Sequence, residues 1–172
     1  MKTEIRRLRE EDADIISEIV CRNFLEINIK DYSKMEMENL AEIYNHEKIL
    51  EMSRWAHSYV ACVDDKIVGC GSIASYWGKE GESILLTIFV LPELHRKGIG
   101  TQIINALEND EYFLRAKRIE IPASITACDF YKKLGYSYKN GINELDGEGH
   151  YRLEKFNVRR YYEDCFFVSG GD

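Results

Sequence analysis

Leu85-Leu86-Thr87-Ile88-Phe89-Val90-Leu91-Pro92-Glu93-Leu94-His95-Arg96-Lys97-Gly98-Ile99-Gly100-Thr101-Gln102-Ile103-Ile104-Asn105-Ala106-Leu107 reads as strand, polar loop and helix. The apolar run up to Val90 is rich in residues that favour a pleated backbone, and Pro92, with no N–H for a ladder, closes it. From Gly98 the period changes. Ile99, Ile103, Ile104 and Leu107 recur at helical spacing, while Gln102, Asn105 and Glu108 face water, so a helix starts between Gly98 and Thr101. The first turn of a helix leaves backbone N–H groups without intrahelical acceptors. Here two glycines let a ligand approach those groups, and Arg96 and Lys97 add positive charge, which makes an anion site suited to phosphate. The third glycine of a dinucleotide loop is missing, and no Gly-Lys-Ser/Thr follows a glycine-rich loop. A pyrophosphate at a helix start beside an open strand remains; the alternative is an ordinary strand-to-helix turn with a basic capping pair.

Val90-Leu91-Pro92 followed by His95-Arg96-Lys97-Gly98-Ile99-Gly100 resembles the acyl-CoA motif of the GNAT acetyltransferase superfamily, Gln/Arg-x-x-Gly-x-Gly/Ala, with His95 standing where Gln or Arg is usual. Downstream, Ala127-Cys128-Asp129-Phe130-Tyr131-Lys132-Lys133-Leu134-Gly135-Tyr136 is similar to the family's Ala-x-x-Phe-Tyr-x-x-x-Gly-Phe. Two motifs in order are far more specific than either alone. The likeness covers residues 3 to 155 in element order, and it implies an acyl-CoA N-acyltransferase fold using acetyl-CoA as cosubstrate.

The chain has 172 residues, 45% of them hydrophobic, enough for one core. The expected organisation is one acetyltransferase domain over residues 1–155 and an extension over 156–172. In that tail Val158, Tyr161, Tyr162 and Cys165 share a helical stripe, expected to pack on the domain or, alternatively, on a partner subunit in a homodimer. Apolar runs fall short of the ~20 residues of a membrane span, and the start Met1-Lys2-Thr3-Glu4 lacks a signal-peptide pattern, so the expected location is cytoplasmic, with no membrane partner. A net charge of −7 disfavours nucleic acid as a partner. Five cysteines without a CxxC pair argue against a disulfide framework and read as buried thiols. His46, His57 and His150 form no metal-ligand spacing with one another or with the cysteines, so metal and covalent catalysis are disfavoured.

The remaining pattern is α/β. Thr3 to Arg9 reads as a strand and Ile16, Ile19, Val20 and Phe24 as the buried side of a helix. Residues 26 to 56 read as an acidic helical region anchored by Ile43, Ile49, Leu50 and Trp55. The resemblance makes this segment a wall of the acceptor site, where Tyr32, Tyr44, Glu26 or Asp31 would touch substrate; the alternative is a solvated acidic face. A hairpin spans 59 to 73 and a loop 77 to 81. A strand over 117–121, stopped by Pro122, should run parallel to the strand ending at Val90 because a helix connects them. Ser124 suits the N-cap of the next helix, Gly135 its end, and two strands flank the Asn140 to Glu148 loop. The expected fold is thus a mixed, mostly antiparallel sheet with one parallel pair at the cofactor site and helices on both faces.

The resemblance also assigns roles. Residues 95 to 101 (His95, Arg96, Lys97, Gly98, Ile99, Gly100, Thr101) would hold the CoA pyrophosphate. Ile88, Phe89 and Val90, splayed from the parallel neighbour, would pair with the pantetheine arm. Ser124 either contacts CoA or only caps its helix. Tyr131 would be the general acid for the thiolate, since a phenol of pKa about 10 is protonated at neutral pH; a structural tyrosine is the alternative. Family members that carry a base on the strand ending at Val90 place it at the positions of Leu86 or Ile84, neither of which takes a proton. Glu82 lies on the same side and stands as candidate base through a water relay, an exposed edge glutamate being the alternative. Ordered water, or an acid from residues 26 to 56, is equally open. The expected activity is transfer of acetyl to a primary amine of a small molecule. A non-catalytic acyl-CoA sensor and a protein or peptide N-acetyltransferase are the alternatives.

Overall fold

The reversal at Asp64 and Asp65, with positive φ of 48° and 62°, has the backbone a two-residue hairpin turn needs to match the twist of paired strands. It joins two strands of a sheet that fills the centre of the computed structural model, which describes residues 2–158. The elements are β1 (Thr3–Arg7), α1 (Ala13–Arg22), α2 (Lys34–Ile43), α3 (His46–Ser53), β2 (His57–Val63), β3 (Lys66–Ser75), β4 (Glu82–Val90), α4 (Ile99–Glu108), α5 (Glu111–Arg115), β5 (Arg118–Ala123), α6 (Cys128–Lys133), β6 (Ser137–Tyr138) and β7 (Tyr151–Phe156). A π-helical turn, Asn23–Ile27, and a 3-10 turn, Asn28–Lys30, continue α1. The sheet has 7 strands in the order β1-β2-β3-β4-β5-β7-β6. Every neighbouring pair is antiparallel except β4 and β5, joined by the crossover through α4 and α5. The expected architecture is the one observed.

Successive strand residues point to opposite faces, so the sheet serves two cores. Val60 packs with Ile16, Ile19, Val20, Phe24, Met37 and Ile49. Ala61, its neighbour, packs with Ile99, Ile103, Leu107, Phe113 and Tyr131. Burying an aliphatic side chain as fully as Ile103 or Leu107 contributes about 1.5 to 3 kcal/mol.

Several local readings are corrected. β1 ends at Arg7 rather than Arg9. Residues 26 to 56 hold two separate helices, and Ile43 and Trp55 are 52% and 39% exposed. The inward stripe of α2 falls at Met37, Leu40, Ala41 and Tyr44, one position ahead of Ile43. Trp55, past the end of α3, leans on Trp77 with ring centroids 5.9 Å apart. α4 ends at Glu108 and the chain restarts as α5, with the Asp110 carboxylate accepting from the Tyr112 N–H at 2.8 Å. β5 is not stopped by Pro122 but runs through it, paired with Arg152. Pairing with β4 has already ended at Glu120, so Pro122 sits on what is in effect an edge, where a missing N–H is tolerated. Of the five cysteines, Cys70 and Cys128 are buried and Cys21 and Cys62 partly so, all four as free thiols. No helix among the described residues is long and apolar enough to cross a membrane. Asn157 N–H still bonds Lys117 O at 2.9 Å, so the sheet's contacts reach past the expected boundary at 155. The rest of the tail stripe (Tyr161, Tyr162, Cys165) lies outside the described residues.

Asp12, buried ahead of α1, ties that helix to β1. Its carboxylate accepts from both Arg6 guanidinium nitrogens, at 2.7 and 3.0 Å, and from the Arg9 N–H at 2.8 Å. The Arg6 bonds, opposed by burial, hold the Asp12 carboxyl below its ordinary pKa of 3.8. A group with a depressed folded pKa stabilises above its unfolded value and loses that contribution as pH falls through the folded one. Asp12→Asn is therefore expected to lower urea-unfolding stability at pH 7 by about 1 to 3 kcal/mol, and the difference from wild type to shrink as pH drops below 3.8.

Candidate active site

Helix α4 begins on Gly98, whose φ of +81° is left-handed, a conformation that residues with a side chain rarely adopt. No side chain caps the helix, and its first backbone bond comes from Gln102 N–H to Gly98 O at 3.1 Å. The amides of Ile99, Gly100 and Thr101 therefore have no intrahelical acceptor. Residues 95 to 98 are exposed, and Arg96 is also left-handed, at φ 63°. His95 has a structural part: its Nε2 lies 2.9 Å from Val90 O, and because a carbonyl only accepts, Nε2 carries the proton. A Cβ on Gly100 would stand 3.1 Å from Phe130 Cζ. That contact seats α6 on the start of α4 and brings the two sequence motifs together.

Strand β4 leaves its parallel neighbour early. The pairs are Glu82 with Arg118, Ser83 with Ile119 and Ile84 with Glu120, after which the strands splay. On its other side β4 carries a bulge: Cys70 pairs with Phe89 and Ser72 with Leu86, so Thr87 and Ile88 face Gly71 alone. Thr87 takes φ 54°, a conformation that costs a β-branched residue about 1 to 3 kcal/mol. The splay opens a cleft of about 730 Å³, in the range of small-molecule sites. Its walls include Ile84 to Phe89 of β4, Ile121 and Pro122 of β5, Ser124, and Tyr131 of α6. Phe24 stands edge-on to both Phe89 and Tyr44, with centroids 5.4 Å apart in each pair, and closes one end.

The opposite wall comes from distant segments. The Tyr32 hydroxyl donates to Gly149 O at 2.7 Å and accepts from Ile125 N–H at 3.0 Å. Gly149 admits the ring, since a Cβ there would lie 3.0 Å from Tyr32 Cε1. Asp31 bonds Thr126 beside it. Glu36, Trp77, Glu148, His150 and Arg152 also border the cleft. Arg152 pairs with Asp146 at 2.6 Å and approaches Glu120 and Glu148 at 3.6 and 3.7 Å. Burial raises the Tyr131, Tyr44 and Tyr32 phenols above their ordinary range, so all three stay protonated at neutral pH. Bonds from Ser33 lower the Glu36 carboxyl, and burial lowers the His150 imidazole.

The structure brings Tyr131, Ser124, Ile88 and Phe89 to one cleft, with Tyr32 and Tyr44 across it. Ser124 also accepts from Ala127 N–H at 3.3 Å, so it caps the turn before α6 while bordering the cleft. Val90 is a partial correction. Its carbonyl is taken by Asn23 Nδ2 and by His95, each at 2.9 Å, and so is not an open group for a ligand. Glu82 is not brought to the cleft: its carboxylate bonds Arg118 at 2.7 Å, within a network that includes Glu120 and Glu154. Neither Glu26, paired with Arg22 at 2.8 Å, nor Asp31 borders the cleft. Asn23, the Thr87 bulge, Trp77 and the 146–152 segment are features that sequence reading missed. The loop read over 77 to 81 and the Asn140 to Glu148 turn signal point near two of them.

The sequence matches the model of the acetyltransferase (GNAT) family over residues 21–136. Among curated proteins none matches. Similar solved structures include the PaiA N-acetyltransferase of Thermoplasma acidophilum in complex with coenzyme A, at 21% identity and TM-score 0.77, covering 91% of this chain and 100% of that one. A GCN5-related N-acetyltransferase of Rhodopseudomonas palustris follows at 22% identity and TM-score 0.75, covering 91% and 97%. Rv2747 of Mycobacterium tuberculosis, in complex with CoA, shares 18% identity at TM-score 0.64, covering 90% and 99%. These structural likenesses concern the fold. The matched segment carries β4, α4 and α6 with the cleft between them, and the chain belongs to the GNAT acetyltransferase family.

Proposed function

We propose that this protein transfers the acetyl group of acetyl-CoA to a primary amine of a small molecule by direct attack. The observation that carries the reading is the early end of the β4–β5 pairing, which leaves a cleft backed by Tyr131, next to Phe130, which packs on Gly100 at the uncapped start of α4. Phosphate at a helix N-terminus is held by backbone N–H groups and the helix dipole, so residues 95 to 101 take the CoA diphosphate with little dependence on side-chain identity. The pantetheine arm runs along the splayed part of β4, through Ile88 and Phe89, as an added strand would. A β4 amide donates to the thioester oxygen, where negative charge develops. Tyr131 gives its proton to the departing sulfur.

Solved structures with CoA among the similar folds support the cosubstrate. The small acceptor is supported by the size of the cleft, about 730 Å³, and by the clasp of Tyr32 on Gly149 and Ile125, which ties its wall together. A screen of amines, polyamines, aminoglycosides and short peptides for CoA thiol release tests the reading. Release with small amines is expected. Release only with peptides would overturn the acceptor class, and tight binding without release would make the protein a sensor.

Tyr131→Phe should lower kcat roughly 10²- to 10⁴-fold with acetyl-CoA binding unchanged by calorimetry; unaltered turnover would remove Tyr131 from the reaction. Tyr32→Phe leaves Gly149 O and Ile125 N–H without their partner and should cost about 1 to 3 kcal/mol in unfolding experiments. It should also raise KM for the amine several-fold while the affinity for acetyl-CoA stays put.

A further inference from the structure

Resting on the transferase reading, we propose that His150 accepts the proton of the incoming amine, at Nε2, from its place on the wall of the cleft. An alkyl amine with a pKa near 10 enters mostly as ammonium and must lose a proton before it attacks. The β4 positions where a base would stand hold Leu86 and Ile84, and the Glu82 carboxylate is committed to Arg118. Of the ionisable groups that do border the cleft, Glu36 is fixed by the Ser33 N–H and hydroxyl, at 3.1 and 2.6 Å. Glu148 is largely exposed beside Arg152. Tyr32, Tyr44 and Tyr131 are protonated phenols, and Arg152 is a cation. His150 is left as the neutral nitrogen base on the cleft wall.

Its surroundings fix which nitrogen offers it. Nδ1 is shut from solvent and has no hydrogen-bond partner, and it lies 4.0 Å from an Asp146 oxygen and 3.8 Å from a Glu148 oxygen. A proton on Nδ1 is attracted by those two carboxylates, whereas a lone pair there would face them. The favoured tautomer therefore leaves the lone pair on Nε2. The backbone is held as firmly: His150 N–H donates to Asp146 Oδ1 at 2.9 Å, His150 O accepts from Asp146 N–H at 2.8 Å, and the preceding Gly149 is clasped by Tyr32. The charged and titratable groups around the ring are Asp146 and Glu148 on its own loop, Arg152 on β7, and Tyr32 and Glu36 across the cleft. Burial, the largest influence, keeps the imidazole below its ordinary pKa and so neutral at pH 7.

The step balances. R–NH3⁺ gives one proton to Nε2; the freed nitrogen pair attacks the thioester carbon; the C–S bond breaks, and the thiolate takes the Tyr131 proton. The phenolate recovers a proton from the new amide nitrogen, and the imidazolium returns its own to solvent.

The tautomer and titration of His150 in the full chain, read by imidazole 15N and 13C NMR, test this without any acceptor. A proton on Nδ1 and a midpoint below about 6.5 are expected; a proton on Nε2 or a midpoint above that value would overturn the proposal. With propylamine as probe, His150→Gln should lower kcat/KM for the amine by about 10²-fold or more and abolish the acid limb of its pH profile. Its calorimetric affinity for acetyl-CoA should match wild type. An unchanged pH profile would also overturn the proposal, whereas failure of the wild-type protein to bind acetyl-CoA would defeat the transferase reading itself.

Discussion

The ladder between β4 and its parallel neighbour is three residue pairs long, and the cleft opens where that pairing stops. A sheet that continued past Ile84 and Glu120 would fill the cleft with its own ladder. The bulge at Thr87 works in the same direction, since an extra residue on β4 twists the strand where the two diverge. A β-branched residue in the left-handed region persists only when its surroundings over-determine it. Here Thr87 O accepts from the Cys70 thiol at 3.3 Å, and Phe24, Phe89 and Tyr44 interlock around the strand end.

The packing of Phe130 over Gly100 couples donor grip to chemistry. The helix start that offers amides and the helix that offers Tyr131 share one contact, so a shift in either displaces both. The second coupling runs across the cleft. Tyr32 joins the turns after α1 to the β5–α6 turn and to the loop that carries His150, so one hydroxyl holds three segments together beside the cleft.

The segments proposed to hold the donor are legible because their signals are local. The switch from strand to helical period at Gly98, the proline that ends β4 and the spacing of Phe130 and Tyr131 each lie within a few residues. The segments across the cleft are not, since Tyr32 and Gly149 stand 117 positions apart and nothing in either segment names the other. Strand parity puts Glu82 on the side of Ile84 but carries no trace of Arg118, whose guanidinium claims it. The bulge at Thr87 is a property of a strand pair rather than of one strand. Pro122 was read as a stop because a proline is costly between two ladders; only the structure shows that one of them has already ended. Ile43 missed the core by a single position, which on a helix is a rotation of about 100°.

In the proposed reaction, backbone amides at the start of α4 grip the diphosphate of coenzyme A. Titration of the 15N-labelled protein with CoA, followed amide by amide, tests this most directly. The largest saturable shifts are expected at residues 97 to 101, with Ile88 and Phe89 moving in the same titration. Saturable binding that leaves those amides unmoved, or no binding, would contradict it.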